Sequence, residues 1–393
     1  MSGPTQEVRF AADELRDFAS RVLTVAGACR DAAQLCAQVL VHADLVGTDT
    51  HGIVRLGQYA QALADGRVSP LARPEVVSDA GPVAVVDAGN ALGPVGLSFA
   101  VDHAVSAARR HGVSVVTVRG SNHAGSMSWY TARAAEAGLV ALVLTGSTKA
   151  MVAPSGGAAA FLGTNAVAYA VPAGEETVSF DAATSSASRS MLEAFQRAGQ
   201  CLPQGWAQDG EGRPALDAGE VIAGIDQLSG HSLLPFGGPD GSHKGFGIGL
   251  LVELLCGPIA GAGWGPRLPA AGPANVGHFV LCLDSGALGA DTADVQQRVR
   301  SLGTQLRAVP PPAGGPPVRV PGDRQRRCFA QRAREGVPLP AQVRAELDRT
   351  AALVGVSPPV PLHAPTAGRP RPAQVTPRTA ALTVTPTGDN HGR

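Results

Sequence analysis

The chain has 393 residues, and its 32 lysine and arginine residues balance its 32 aspartate and glutamate residues, so the formal net charge is zero. Zero net charge excludes an overall field that would draw the chain to nucleic acid or to an anionic membrane, and we expect small molecules or proteins as partners. This length exceeds that of a small binding module and predicts a division into two domains.

Two features indicate a reducing compartment. The N-terminus reads M-S-G-P-T-Q-E-V-R-F, without the basic and apolar regions of a secretory signal. The six cysteines show no C-x-x-C spacing, and several stand in apolar runs where a reduced thiol packs as a small hydrophobe. We therefore expect buried free thiols and a cytoplasmic protein.

Two amphipathic helices are predicted between Ala11 and Gly47, because apolar residues recur there at steps of three and four. The second helix leads directly into a stretch rich in turn residues and chemically active side chains, D-L-V-G-T-D-T-H-G-I-V-R-L-G-Q-Y. The chemistry is therefore expected to begin at a helix end.

This stretch places the hydroxyl of Thr50, the imidazole of His51 and the guanidinium of Arg55 close together in the chain. An imidazole titrates near neutral pH and can act as an acid or a base. A guanidinium can bind a carboxylate through two parallel hydrogen bonds. The pattern predicts an acid/base group beside an anion-binding group.

Strands and helices alternate through the rest of the chain. β-Branched runs predict strands at 83–87, 113–118, 139–144, 166–171, 178–180 and 278–283. Helical spacing predicts helices near 95–110, 128–137, 188–198, 246–256, 291–306 and 340–354. This order indicates an α/β domain with a substantial sheet.

The longest apolar run, Gly245 to Gly263, has the length of a membrane span. Glu253 stands in its middle, and glycines and Pro258 interrupt it. We therefore predict a buried helix and no membrane association.

The composition changes after Ser357. The last 37 residues contain eight prolines and no aromatic residue, which leaves too little apolar surface to offset the cost of ordering. Residues 357–393 are predicted to be a disordered tail. No period of 20 to 50 residues repeats along the chain, so a solenoid is not expected.

A second imidazole, His123, stands in S-N-H-A-G after a predicted strand, among small residues that leave space for a ligand. A histidine considered alone is more often structural than catalytic, and for both His51 and His123 that alternative stays open. Lys244 lies in S-H-K-G-F-G, just ahead of a predicted helix, where an ammonium and backbone amides can hold phosphate. A solvated lysine is the alternative.

Several common site types are absent from the sequence. No G-x-G-x-x-G follows a predicted strand, which argues against a Rossmann domain. No H-E-x-x-H, C-x-x-C or H-x-H supports a metal site, and none is predicted. No G-x-S-x-G provides a nucleophilic serine.

Taken together, the motifs resemble the malate/L-lactate dehydrogenase family, which includes ureidoglycolate and sulfolactate dehydrogenases and piperideine-2-carboxylate reductases. The resemblance covers roughly Phe10 to Gly355. It is carried by D-L-V-G-T-D-T-H-G-I-V-R-L, S-N-H-A-G, V-A-P-S-G-G with L-G-T-N, F-D-A-A-T-S, S-H-K-G-F-G-I-G-L-L-V-E-L-L-C-G, N-V-G-H-F and V-P-G-D-R.

The resemblance implies an α/β fold that is not Rossmann, with a sheet domain and a helical domain built from both chain ends. We expect residues 6–70 and 291–356 in the helical domain and residues 71–290 in an α/β cofactor-binding domain. It also implies a homodimer. The implied activity is NAD(P)-dependent hydride transfer between a small 2-hydroxy acid, of the malate, lactate, ureidoglycolate or sulfolactate type, and its 2-oxo acid.

The resemblance also assigns roles to individual residues. His51 is similar to the proton donor of the reductase branch, with Thr50 as its relay hydroxyl and Arg55 as the group that binds the substrate carboxylate. His123 is similar to the acid/base histidine of the ureidoglycolate branch. The family's contacts with NAD or NADP match Ser147, Asp181, Ala182, Ala183 and Lys244.

Three positions depart from the family pattern. Threonine at position 50 replaces a common serine, alanine at position 124 replaces a common phenylalanine, and Ser190-Met191 follows F-D-A-A-T-S where a relay carboxylate is usual. The missing carboxylate disfavours a cyclic imino acid reductase relative to a hydroxy-acid dehydrogenase. A catalytically silent ligand-binding relative is the other alternative.

Overall fold

The computed structural model describes residues 8–269 and 272–362. The predicted disordered tail therefore lies outside the described residues from position 363 onward. The strands are β1 Val8–Phe10, β2 Glu75–Asp79, β3 Val83–Asp87, β4 Val113–Ser121, β5 Val140–Thr145, β6 Ala166–Ala173, β7 Glu176–Ala182, β8 Ala207–Gln208, β9 Ser232–Leu233, β10 Val276–Leu283 and β11 Val337–Leu339. The helices are α1 Ala12–Val25, α2 Arg30–Leu45, α3 Leu56–Ala64, α4 Gly93–His111, α5 Ser128–Glu136, α6 Arg189–Ala198, α7 Ala218–Asp226, α8 Gly238–Cys256, α9 Thr292–Arg307, α10 Asp323–Glu335 and α11 Ala341–Val354.

A seven-stranded mixed sheet in the order β2-β3-β4-β10-β5-β6-β7 confirms the predicted α/β class. β3 and β4 run parallel, and the other neighbours in this sheet are antiparallel. The late strand β10 lies at the centre, where His278 is paired in register with Val118 of β4 and Thr145 of β5. This insertion brings the carboxyl ends of β4 and β5 together on either side of β10.

Helices α4 and α5 cover the core face of this sheet. Their contacting residues are mainly alanines, with Leu97, Val101 and the fully buried Tyr130 among them. Small side chains let a helix approach a sheet closely, and each buried apolar group stabilises the fold in proportion to the area removed from water. The alanine-rich pattern of the sequence is explained by this close packing.

A second core joins the two ends of the described chain. Leu15, Phe18 and Val22 line one face of α1 and are fully buried with residues of α2, α3 and α11. β1 pairs with β11, placing Phe10 opposite Val337. The spacing that predicted amphipathic helices here therefore identified the buried face.

A third apolar core lies around α6, α7, β8 and β9. Leu192, Val221, Ile225 and Leu233 are all nearly or fully buried in it. This segment falls within the predicted α/β domain of residues 71–290, but its apolar contacts are largely its own. The first turns of α6 form one wall of a large cleft.

Two C-terminal helices differ from the sequence expectation. α9, predicted with the helical part, packs against β6 of the sheet. α10 was not predicted, because D-R-Q-R-R-C-F-A-Q-R-A-R-E offers little apolar periodicity. It packs against α2, and the Arg332 guanidinium donates to the carbonyl of Asp44 and to the carboxylate of Asp49.

The prediction for α8 was wrong in two respects. The helix begins at Gly238, so Lys244 lies inside it with an exposed side chain, and not in a loop ahead of it. The glycine-rich first turns have low helix propensity, which hid this extension. The helix was also expected to be buried, yet Ile248, Leu251 and Leu254 are all more than 40% exposed. Among the residues described, no helix is both long and apolar enough to cross a membrane.

The expectation of buried thiols holds for half of the cysteines. All six are free, and Cys36, Cys256 and Cys282 are buried, which raises the pKa of each thiol. Cys29 and Cys201 are exposed. Cys29 stands at the N-cap of α2 and Cys201 in the loop after α6.

Candidate active site

A cleft of about 780 Å³ lies where the helical core, the sheet and the α6 segment meet. Its walls are the turns after α2, the loops after β4 and β5, the end of β7 and the first turn of α6. It collects the predicted residues Thr50, His51, Arg55, His123, Ser147, Asp181, Ala182 and Ala183. Lys244, the remaining predicted site residue, is not among the lining residues.

A buried carboxylate holds the segment that carries His51. Two 3-10 turns, Asp49–His51 and Ile53–Arg55, follow α2, and the Ile53 amide donates to Asp44 Oδ2 at 2.8 Å. Burial raises the pKa of Asp44 well above its usual value. A Cβ on Gly52 would lie 1.8 Å from Asp44 Oδ1, so glycine is required for this approach.

His51 projects into the cleft from the end of the first of these turns. Its Nδ1 lies 3.0 Å from Thr50 Oγ1, so one ring nitrogen is occupied by the neighbouring hydroxyl. Burial, and secondarily the positive charge of Arg55, lowers the pKa of His51 to about 4. At neutral pH His51 is therefore a neutral imidazole.

His123 lies opposite, in the loop after β4. The Tyr59 hydroxyl donates to the carbonyl oxygen of His123 at 3.0 Å, and its oxygen lies 2.8 Å from Nδ1 of the same residue. The two histidine rings are stacked, with centroids 5.7 Å apart and planes inclined by 16°. Burial, followed by the charges of His51 and Arg55, lowers the pKa of His123 well below its usual value.

Arg55 is held at the cleft wall by contacts from two parts of the chain. Its Nε donates to the carbonyl of Thr50 at 2.8 Å. Its Nη2 donates to Ser190 Oγ and lies 3.5 Å from Glu193 Oε2, and both of these residues stand on α6. The guanidinium thus connects the histidine segment to the α6 wall.

Ser147 follows β5 and is fixed by the L-G-T-N segment. Its Oγ accepts from the Thr164 amide at 2.9 Å. A Cβ on Gly163 would lie 2.5 Å from Ser147, so glycine lets the two loops approach. Behind them, the buried Glu253 accepts from Asn165 Nδ2 at 2.5 Å and from the Gly265 amide at 2.8 Å. The Ser147 loop is therefore rigidly supported.

The predicted cofactor segment at the end of β7 has mixed roles. The Asp181 carboxylate accepts from Ser126 Oγ at 2.7 Å and from the Ser128 amide at 2.9 Å, at the start of α5. Burial raises its pKa. These contacts hold the loop that carries His123, while Ala182 and Ala183 continue along the cleft wall.

His278 lies behind the cleft and was not assigned a role from the sequence. Its Nδ1 is 2.8 Å from Thr145 Oγ1 and its Nε2 is 2.8 Å from Ser121 Oγ. Burial lowers its pKa to about 3. It connects the ends of β4 and β5, which lead to His123 and Ser147.

Sequence reasoning also missed Tyr59 and Glu193. Tyr59 closes the stretch that contains Arg55 and stands four residues beyond it, one turn along α3, so helical spacing could have suggested a shared face. Glu193 has no local signal, because its contact with Arg55 spans more than a hundred residues. In the described ranges, no group of three or more histidine, cysteine, aspartate or glutamate residues could hold a metal ion.

The family model described as malate/L-lactate dehydrogenase matches residues 10–348. The chain is 31% identical to a malate dehydrogenase of Pyrococcus abyssi, covering 89% of this chain and 96% of that protein. It is also 31% identical to the NAD(+) ureidoglycolate dehydrogenase of Escherichia coli O157:H7, covering 84% and 93% of the two chains. The crystal structure of malate dehydrogenase from Entamoeba histolytica superposes with a TM-score of 0.86 at 26% identity, covering 90% of this chain and 100% of that one.

Proposed function

The chain belongs to the malate/L-lactate dehydrogenase family, and on that premise we propose that it is an NAD(P)-dependent oxidoreductase that interconverts a small 2-hydroxy acid and its 2-oxo acid. One observation carries the proposal: a guanidinium and two stacked imidazoles meet in one cleft. That arrangement combines binding of a carboxylate with proton transfer at the adjacent carbon. The chemistry matches a hydroxy acid, whose carboxylate and hydroxyl are neighbours.

The cleft fits a nicotinamide cofactor together with a small acid. Its volume of about 780 Å³ lies in the range of sites for cofactors and drug-sized ligands. Ser147, Ala182 and Ala183 present a small hydroxyl and small apolar side chains, and we assign them to cofactor contact. The bound nicotinamide supplies or receives the hydride. Asp181 supports this region from behind, and the assignment of Lys244 stays a prediction.

Arg55 is assigned to the substrate carboxylate. Its guanidinium can form the two parallel hydrogen bonds that a carboxylate accepts. A carboxylate bound there offsets the positive charge of Arg55, which contributes to the lowered pKa of His51. Substrate binding therefore raises that pKa and makes protonation of His51 easier at the time when a proton is needed.

His51 is assigned as the residue that moves the proton, with Thr50 fixing its ring and His123 hydrogen-bonding the substrate oxygen. In oxidation, neutral His51 takes the hydroxyl proton while hydride leaves C2. In reduction, protonated His51 returns the proton to the carbonyl oxygen as hydride arrives at C2. The reaction balances as 2-oxo acid, reduced cofactor and one proton giving 2-hydroxy acid and oxidised cofactor.

We propose further that the protein is a homodimer that acts in the cytoplasm. The exposed apolar face of α8, with Ile248, Leu251, Leu254 and the nearby Ile259, supports an interface, since monomers seldom leave such a face open. Six free cysteines suit a reducing compartment. Analytical ultracentrifugation tests the dimer, and a stable species of one 39.8 kDa chain would contradict it.

An absorbance assay at the reduced nicotinamide band tests the activity. The substrates are malate, lactate, ureidoglycolate, sulfolactate and a cyclic imino acid, each with NAD or NADP in the appropriate redox state. We expect turnover with at least one hydroxy acid and its oxo partner. No change in cofactor absorbance with any of them would favour a silent ligand-binding protein.

A further inference from the structure

A carboxylate stands beside the group assigned to the substrate carboxylate. Glu193 lines the cleft from α6, with 27% of its side chain exposed. One of its oxygens is 3.5 Å from Arg55 Nη2, and the other is 3.3 Å from Arg189 Nε. Any small acid bound to Arg55 therefore has an anionic neighbour on the α6 wall.

The other cations on this wall are already paired. Arg189 binds both oxygens of Asp226, each at 2.7 Å, and Lys149 binds the same carboxylate at 2.7 Å. This wall therefore carries three positive charges, on Arg55, Lys149 and Arg189, and two negative charges, on Glu193 and Asp226. A single carboxylate on the substrate therefore brings this wall to neutrality, and a second would leave it negative.

Resting on the proposed function, we infer that the cleft selects 2-hydroxy acids with one acid group, and that Glu193 is the residue that rejects a second. A small acid has its far end only a few bonds from its carboxylate, so that end lies near the α6 wall. A second acid group there meets Glu193 as a like charge. A neutral far end with an N–H or O–H, such as a ureido or amide group, can donate to Glu193 instead.

One further cation lines the cleft and offers a competing site. Arg324, on α10, has no carboxylate partner among the described residues, and its Nη1 donates to the carbonyl of Gly47 at 3.0 Å. If a second acid group bound Arg324, the cleft would accept a dicarboxylate in spite of Glu193.

The test compares Glu193→Gln with the wild-type enzyme and with Glu211→Gln. Glu211 is an exposed carboxylate outside the cleft that pairs with Arg213, so its replacement controls for the loss of one charge. The measurement is kcat/KM for malate, which has two acid groups, and for ureidoglycolate, which has one and carries N–H donors. Arg324→Gln is measured with the same two acids.

We expect the ratio of kcat/KM for malate to kcat/KM for ureidoglycolate to rise about tenfold in Glu193→Gln, which corresponds to about 1.4 kcal/mol. In Glu211→Gln the same ratio should stay within about twofold of the wild-type value. An unchanged ratio in Glu193→Gln would overturn the inference. So would a loss of malate turnover confined to Arg324→Gln. If no acid is turned over, the proposed function fails. The dissociation constants of the same two acids, measured by calorimetry in each variant, then replace kcat/KM and test the selectivity on its own.

Discussion

Replacing Tyr59 by phenylalanine should weaken catalysis by loosening His123. The change removes a hydroxyl that donates to the His123 carbonyl at 3.0 Å and lies 2.8 Å from Nδ1, while the ring itself stays packed. Leaving a buried polar group without its partner costs about 1 to 3 kcal/mol. That loss falls on the orientation of the imidazole that hydrogen-bonds the substrate oxygen, so KM should rise about 10- to 100-fold, with a smaller change in kcat.

Steady-state kinetics across pH provide the readout, with Tyr130→Phe as a matched control. The Tyr130 hydroxyl is also buried and donates to a backbone carbonyl, that of Ala124 at 2.6 Å, but touches no imidazole. Both variants should lose stability, and only Tyr59→Phe should raise KM out of proportion to its effect on kcat. An equal change of KM in the two variants would refute the role given to Tyr59.

Two further predictions concern the support of the site and its response to acid. Gly52→Ala should destabilise the protein by about 1 to 3 kcal/mol and lower turnover, because the new Cβ meets Asp44. The control Gly241→Ala, whose Cβ meets open space, should change neither stability nor turnover. Chemical denaturation and activity assays check both variants, and wild-type values for Gly52→Ala would contradict the prediction. His42 in the last turn of α2 and His278 on β10 have pKa values of about 4 and about 3, below the usual 6.5, so the unfolded chain binds protons first as the pH falls through 6.5. Protonation of each histidine in the unfolded chain should lower the free energy of unfolding by about 3 kcal/mol at pH 4. A free energy of unfolding in urea that stays constant from pH 7 to pH 4.5 would contradict the burial of these histidines as neutral rings.

The sequence predicted candidate site residues that lie close together in the chain, and the structure brings them into one cleft. His51 and Arg55 were recognised because an acid/base group and an anion-binding group stand four residues apart after a helix. His123 was placed in the same site because small residues surround it after a predicted strand and because the family resemblance assigns it an acid/base role. The stacking of the two rings depends on how the helical core meets the sheet, which no local pattern encodes.

The contacts that sequence reasoning missed are long-range ones. His278 acts from the central strand β10, which joins the sheet late in the chain and separates β4 from β5. Glu193 reaches Arg55 only because α6 folds back over the cleft. Elements were missed where local propensity and final structure disagree, as in the glycine-rich start of α8 and the highly charged α10.

The central claim is that His51 transfers the proton in this cleft while His123 hydrogen-bonds the substrate oxygen. Its most direct test is the turnover of His51→Gln and His123→Gln across pH, followed by cofactor absorbance. We expect His51→Gln to lower turnover by about 100- to 10,000-fold and to abolish its pH limb, and His123→Gln to act mainly on substrate binding. The reverse result would exchange the two roles. Near-normal turnover and pH dependence in both variants would contradict the assignment of the active site.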